Sequence, residues 1–242
     1  MKTAIVTGAS SGIGRAVAER LLEHGWIVGL VARRAGPLEE IAAAHDGAHA
    51  LPCDVTSPDD VTEAFAAFTR AAGRLDVLFN NAGIFTPPAP IDEISVEDWT
   101  RAVAVNQTGM FLCARAAFGQ MRRQSPMGGR IINNGSVSAQ TPREGATTYT
   151  TTKHAITGLT KQIALDGRPF DIACGQIDIG NARTDMVSEL VKREAAAGRP
   201  TLETMDVGLV ADAVRHMAEL PLTANVLFQT IMATKMPLVG RG

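Results

Sequence analysis

Thr3-Ala4-Ile5-Val6-Thr7-Gly8-Ala9-Ser10-Ser11-Gly12-Ile13-Gly14 decides the fold of this chain. The short apolar run from Thr3 to Val6 reads as a strand, passes straight into glycines at 8, 12 and 14, and is followed by a helical pattern from Gly12 to His24. A helix that opens directly after a strand presents unpaired backbone N–H groups and the positive end of its dipole, which suits a phosphate. Gly8 permits the tight turn, Gly12 lets a pyrophosphate approach the backbone, and Gly14 lets the helix pack closely on the sheet. The spacing Gly-x-x-x-Gly-x-Gly, set in the first strand-turn-helix unit, points to a dinucleotide site formed by Gly8, Ser10, Ser11, Gly12, Ile13 and Gly14.

Beyond this unit, short apolar runs keep alternating with helical stretches, the pattern of repeated βαβ units around a parallel sheet buried on both faces. Strands are expected near Thr3–Val6, Ile27–Ala32, Ala48–Pro52, Leu75–Phe79, Arg130–Asn133, Asp171–Ile177 and Val226–Thr230. Helices are expected over Gly12–His24, Pro37–Ala44, Pro58–Ala72, Val96–Gln124, Thr148–Asp166 and Val207–Leu220, with a break in the long Val96–Gln124 stretch near Asn106 and Gly109. The fold class is therefore α/β: a single Rossmann-type, doubly wound domain over residues 1–242, with a mainly parallel, seven-stranded sheet flanked by helices. Proline-rich Thr86-Pro87-Pro88-Ala89-Pro90 and the polar stretch from Asn181 to Pro200 read as loops or lid elements, with a substrate loop near 180–205.

Charge is nearly balanced, with 23 basic against 25 acidic residues, so neither a nucleic acid nor a membrane surface is expected as a partner. The amino terminus turns into the glycine loop after a few apolar residues, which predicts a cytoplasmic protein without a leader. Cys53, Cys113 and Cys174 are widely spaced and lack a paired-ligand pattern, so they read as free, buried thiols and no metal site is expected.

At the end of the second strand, where an acidic side chain would hold the ribose 2′-hydroxyl of NAD, the chain reads Val31-Ala32-Arg33-Arg34. Arginines there suit a 2′-phosphate, which places NADP(H) ahead of NAD(H). The only tyrosine, Tyr149, lies four residues before Lys153 and thirteen after Ser136. On one helix, Tyr149 and Lys153 are a turn apart, and their stripe continues through Ile156, Leu159 and Ile163. A lysine on an inward-facing stripe implies a polar partner, here cofactor hydroxyls and the Tyr149 oxygen, and a phenol near pKa 10 needs such a neighbour to act as a base. Ser136, after a strand, is placed to donate to a substrate oxygen, with Ser138 as a competitor. His154 falls on another helical face and reads as a structural or surface residue.

Taken together, these residues resemble the short-chain dehydrogenase/reductase family over essentially the full length. The matches are Gly8, Gly12 and Gly14, Asp54-Val55 after the third strand, Asn80-Asn81-Ala82-Gly83 after the fourth, Asn106 on a helix, and Ser136, Tyr149 and Lys153. The resemblance implies an enzyme interconverting a carbonyl and a secondary alcohol, with Tyr149 as general acid or base and Ser136 polarising the substrate oxygen. It implies that Lys153 favours the phenolate and holds the nicotinamide ribose, while Asn106 anchors a water joining Lys153 to solvent. It places Asp54 and Val55 near the adenine and Asn81, Ala82 and Gly83 along the adenosine side, and it implies a homo-oligomer, a dimer or tetramer.

The segment Ile179-Gly180-Asn181-Ala182-Arg183-Thr184 keeps the family's glycine and threonine but has Ile179 where a proline is usual; Ile179, Gly180 and Thr184 are nonetheless read as cofactor contacts. The carboxyl end lacks the family's Asp-Gly-Gly ending, and the reading allows it an altered subunit contact. Residues Phe85–Ile94, Ala139–Thr147 and Thr184–Thr204 are expected to border a small carbonyl or alcohol substrate. Two other readings stand beside this one: a dinucleotide-binding regulator or scaffold without catalysis, and an epimerase or dehydratase using the same tyrosine-lysine chemistry.

Overall fold

β1 (Thr3–Thr7) occupies the centre of a seven-stranded sheet in the computed structural model, which describes residues 1–184, 187, 188, 191 and 202–239. Around it run β2 (Ile27–Ala32), β3 (Ala48–Pro52), β4 (Val77–Asn80), β5 (Gly129–Asn134), β6 (Ile172–Ile179) and, last in chain order, β9 (Phe228–Ile231). The order is β3-β2-β1-β4-β5-β6-β9 and every pairing is parallel. Order reverses at β1, which pairs with β2 on one side and β4 on the other, so the crevice that a ligand would enter opens beyond the carboxyl ends of these strands.

Strand periodicity explains the two cores. In β1, Ala4 and Val6 face one side and Ile5 the other, and all three are fully buried. The first side is covered by α1 (Gly12–Glu23), α2 (Ala35–Ala44) and α7 (Val207–Glu219), through Val17, Leu21, Leu38, Val210 and Val214. The second is covered by α3 (Pro58–Ala72), α5 (Met110–Arg123) and α6 (Thr147–Asp166), through Phe65, Phe68, Cys113, Met121 and Ile163. Each fully buried Val, Leu, Phe or Met among these contributes roughly 1.5–3 kcal/mol. The three cysteines are buried and free, and burial pushes the Cys53 thiol up to about 12 and the Cys113 and Cys174 thiols up as well.

Helix boundaries are sharp where local chemistry writes them. The α3 span follows from a Ser57 cap whose oxygen accepts from the Asp60 N–H, Pro58 and two aspartates in the first turn, and a left-handed Gly73 (φ 82°) after the last. Several expectations shift: the last strand runs Phe228–Ile231 rather than Val226–Thr230, the second helix starts at Ala35 rather than Pro37, and three further changes have visible causes. β4 starts at Val77 because Asp76 turns its carboxylate onto the Thr3 N–H (2.9 Å). Asp171 lies outside β6 because it is left-handed (φ 52°), and the strand instead runs on to Ile179.

The third concerns Val96–Gln124, where the irregularity expected near Asn106 and Gly109 takes the form of a π-helical segment, Ala104–Gly109, that joins α4 (Val96–Val103) to α5. After β6, the short strands β7 (Ala182–Arg183) and β8 (Met205–Asp206) pair in parallel and bracket the proposed substrate loop, most of which lies outside the described residues. Among the described residues no helix is long and apolar enough to cross a membrane.

Candidate active site

The glycine turn has the geometry a phosphate cradle requires. Gly8 (φ 69°) and Gly12 (φ 56°) are left-handed. Gly14 is not; a Cβ there would strike the Gly8 carbonyl and stand 2.7 Å from Asn81 Nδ2, so its close neighbour is the turn itself. The Ser11 side chain makes no capping hydrogen bond and the first turn of α1 has no acidic residue, leaving the helix start suited to an anionic ligand. Asn81 ties the β4 loop to this turn: its backbone N–H donates to Thr7 Oγ1 (2.8 Å) and its Nδ2 to the Thr7 carbonyl (2.9 Å). Ala82 N–H adds a bond to Thr7 Oγ1 (2.9 Å), and Gly83 leaves space beside Asn106 Oδ1.

Arg33 and Arg34 are exposed at the end of β2, and Arg34 Nη2 donates to Ser10 Oγ (3.3 Å), so this cationic corner borders the turn. Thr184 directly follows β7, its methyl 3.3 Å from where a Gly12 Cβ would sit. Ile179 is buried, while the Gly180 N–H donates to the Ile231 carbonyl (2.8 Å). Ile179 thus packs into the strand end without the proline's rigidity. Asp54 Oδ1 accepts from the Thr56 N–H (2.9 Å) and hydroxyl (2.8 Å), a turn-forming arrangement, and Val55 packs under Gly109.

At the carboxyl ends of β5 and β6 stand Ser136, Tyr149 and Lys153. The Ser136 hydroxyl accepts from the Ser138 N–H (3.1 Å), so Ser138 supports Ser136 through its backbone. Lys153 Nζ donates to the Asn134 carbonyl (2.7 Å) and lies 5.5 Å from the Tyr149 ring centroid. The expected pairing of the amine with the phenol oxygen is thus replaced by a backbone partner.

Burial shifts both groups: it raises the Tyr149 phenol, opposed by Ser136 and Arg143, and it lowers the Lys153 ammonium to about 8, opposed by Asp178. Phe85 stacks on Tyr149 (centroids 4.2 Å apart, planes at 24°) although its own side is 60% exposed. Asn106, buried in the π-helical segment, spends its amide on Ile84: Oδ1 accepts from the Ile84 N–H (2.7 Å) and Nδ2 donates to the Ile84 carbonyl (2.9 Å). It clasps the loop carrying Phe85. His154 is exposed and bonds the Thr150 carbonyl.

The short chain dehydrogenase profile matches residues 2–195. The chain belongs to that family. A 3beta-hydroxysteroid dehydrogenase of Mediterraneibacter gnavus is 36% identical over 180 residues, covering 73% of this chain and 64% of that enzyme, less than two thirds of its length. The 2-(R)-hydroxypropyl-CoM dehydrogenase of Xanthobacter autotrophicus is 36% identical over 229 residues, 90% of this chain and 91% of the relative. Among solved structures, 3-ketoacyl-(acyl-carrier-protein) reductase from Brucella melitensis, complexed with NADH, superposes with a TM-score of 0.88 at 25% identity and covers 98% of each chain. A serine dehydrogenase complexed with NADP+ gives the same TM-score and identity, covering 99% of this chain and 98% of that one. As a family member the chain is an oxidoreductase with a nucleotide-binding Rossmann fold.

Sequence reading passed over the polar residues that surround this trio. Gln176 and Asp178 lie two apart in β6, on one face, at the ligand-bearing end of the sheet. Gln176 Oε1 accepts from Thr160 Oγ1 (3.1 Å), which itself accepts from Asn133 Nδ2 (2.9 Å); the Asn133 oxygen accepts from Asn80 (3.2 Å). Alternating polar residues inside an otherwise apolar buried strand are the signal that could have found them.

Proposed function

We propose that this protein is an NADP(H)-dependent oxidoreductase interconverting a carbonyl and a secondary alcohol at Ser136, Tyr149 and Lys153. One observation carries the reading. A phenol and a buried ammonium 5.5 Å from its ring stand on one helix at the carboxyl ends of parallel strands, with Ser136 in the turn whose Asn134 carbonyl takes that ammonium, beside a glycine turn shaped for a pyrophosphate.

The bound nicotinamide would supply the hydride. Ser136 would hold and polarise the substrate oxygen, and Tyr149 Oη would pass its proton to that oxygen in reduction or accept it back in oxidation. A phenol is protonated near neutrality, the state needed for reduction, and burial pushes it further in that direction. Lys153 would hold the nicotinamide ribose and resupply Tyr149, with a water at the π-helical segment around Asn106 linking it to solvent.

The adenosine half would lie along Gly8, Ser10, Ser11, Gly12, Ile13 and Gly14, with Asp54 and Val55 beside the adenine and Asn81, Ala82 and Gly83 nearby. Arg33 and Arg34 would receive a 2′-phosphate, and Ile179, Gly180 and Thr184 would border the nicotinamide. Residues 1–242 would act as one cofactor-binding and catalytic domain with a substrate loop near 180–205, in a cytoplasmic homo-oligomer. The test is oxidation of NADPH by purified protein against a panel of ketones, aldehydes, keto-esters and sugars. Tyr149→Phe is expected to abolish turnover while NADPH affinity stays near that of the parent, and a fully active variant would remove this mechanism.

A further inference from the structure

The segment that follows β4 turns over the start of α6, and three ties hold it there. Asn106 clasps Ile84 by both backbone groups (2.7 and 2.9 Å). Thr86 Oγ1 and Thr148 Oγ1 share a hydrogen bond (2.6 Å), and the Ala89 N–H donates to the Gly145 carbonyl (3.2 Å). Gly145 is left-handed (φ 68°), and a Cβ there would stand 3.0 Å from the Pro88 Cβ, so the two loops meet closely at this end. Between the first two ties, Phe85 lays its ring on the Tyr149 ring (4.2 Å between centroids, 24° between planes). The ring is thus held by its own loop on both sides and meets the one tyrosine of the chain.

We propose that Phe85 is a positioning residue for Tyr149: Ile84–Ala89 is a clamp, tied at both ends, whose aromatic ring fixes the plane and tilt of the phenol. The last torsion of a tyrosine side chain is broad, so neighbours rather than rotamer preference set the ring plane. Conjugation keeps a phenolic O–H near that plane, and the tilt of the ring carries the oxygen with it. Fixing both therefore fixes where the proton is delivered, and proton transfer depends on that alignment. An offset aromatic stack is worth enough beyond its buried area to favour the aligned phenol by about two- to tenfold. The inference rests on the proposed oxidoreductase reading and assigns Phe85 a role that needs no contact with the substrate.

The single tyrosine makes the test direct, because labelled tyrosine gives aromatic 13C resonances from Tyr149 alone. Phe85→Leu keeps an apolar side chain but removes the flat ring, and Phe85→Trp supplies a different flat ring at a position that is 60% exposed. Thr86→Val keeps the shape of the loop and removes the tie to Thr148. In NADPH-loaded protein, Phe85→Leu is expected to lose the ring-current shift on Tyr149, to loosen the ring by 13C relaxation, and to lower kcat for ketone reduction by about two- to tenfold with KM nearly unchanged. Thr86→Val is expected to loosen Tyr149 in the same sense, and Phe85→Trp to keep both its order and kcat, with far-UV circular dichroism unchanged throughout.

Unchanged Tyr149 relaxation in Phe85→Leu, or equal loosening in Phe85→Trp, would overturn the clamp. So would a loss confined to KM, which would make Phe85 a substrate contact only. If Phe85→Leu does not fold, Thr86→Val decides by the same readouts. The relaxation measurement needs no turnover, so its failure is separate from a failure of the oxidoreductase reading, which Tyr149→Phe addresses.

Discussion

Lys153 carries the sharpest conflict of any residue in the chain. It is 2% exposed, its ammonium has one carbonyl at 2.7 Å, and burial lowers it from 10.5 to about 8. Between those two values the unfolded chain binds a proton that the folded one does not, so stability rises as pH climbs from about 8 to 10.5, and the cost is fully present below 8. Lys153→Met removes this dependence. Denaturant unfolding of cofactor-free protein at pH 7 and pH 10 is therefore expected to show the parent gaining on the variant, by on the order of 3 kcal/mol. No relative gain would mean that water reaches the ammonium in the free protein. The Tyr149 phenol titrates in both proteins and leaves the comparison intact.

α1 and α6 show how the same substitution can have opposite effects in two helices. Alanine is the better helix former by about 1 kcal/mol. At Gly158, in α6, a Cβ would meet open space, and Gly158→Ala is expected to stabilise by about that amount. At Gly14 the same Cβ meets the Gly8 carbonyl and Asn81 Nδ2, and Gly14→Ala is expected to cost about 1–3 kcal/mol and to weaken NADPH binding. Thermal unfolding and a fluorescence titration check both; a neutral Gly14→Ala would show that the turn yields easily.

The elements that could be read from the sequence are those whose chemistry is rare or whose caps are local. The glycine turn after β1 needs backbone conformations few residues adopt, and α3 carries Ser57, Pro58 and Gly73 at its ends. The irregularity near Asn106 and Gly109 was legible in the sequence, but its π-helical form was not, because Ala102, Asn106, Gly109 and Met110 keep a helical face buried across it. Asn106 was legible as a residue but not as the clasp on Ile84, since that bond joins positions 22 apart. Asp178 stayed hidden because the apolar pattern placed the strand end at Ile177, whereas the ladder with β9 extends to Ile179.

Across the whole molecule, cofactor binding and folding are one equilibrium. A ligand at a hundred times its dissociation constant stabilises by about 2.7 kcal/mol. NADPH is therefore expected to raise the melting temperature more than equimolar NADH does. Replacing Arg33 and Arg34 together with aspartate is expected to erase that difference while leaving the NADH shift in place. Equal shifts in the parent protein, or equal loss of both in the variant, would remove the 2′-phosphate assignment.

Asn81 has a corollary for protein engineering. Its side chain is read at once by Thr7, by the space beside Gly14 and by Asn134, whose Nδ2 reaches Asn81 Oδ1 at 2.7 Å. The nucleotide turn is therefore not a portable cassette. A chimera that grafts residues 7–14 from a homologue must import a matching β4 loop as well, or the new turn will arrive without the lock that keeps it shut.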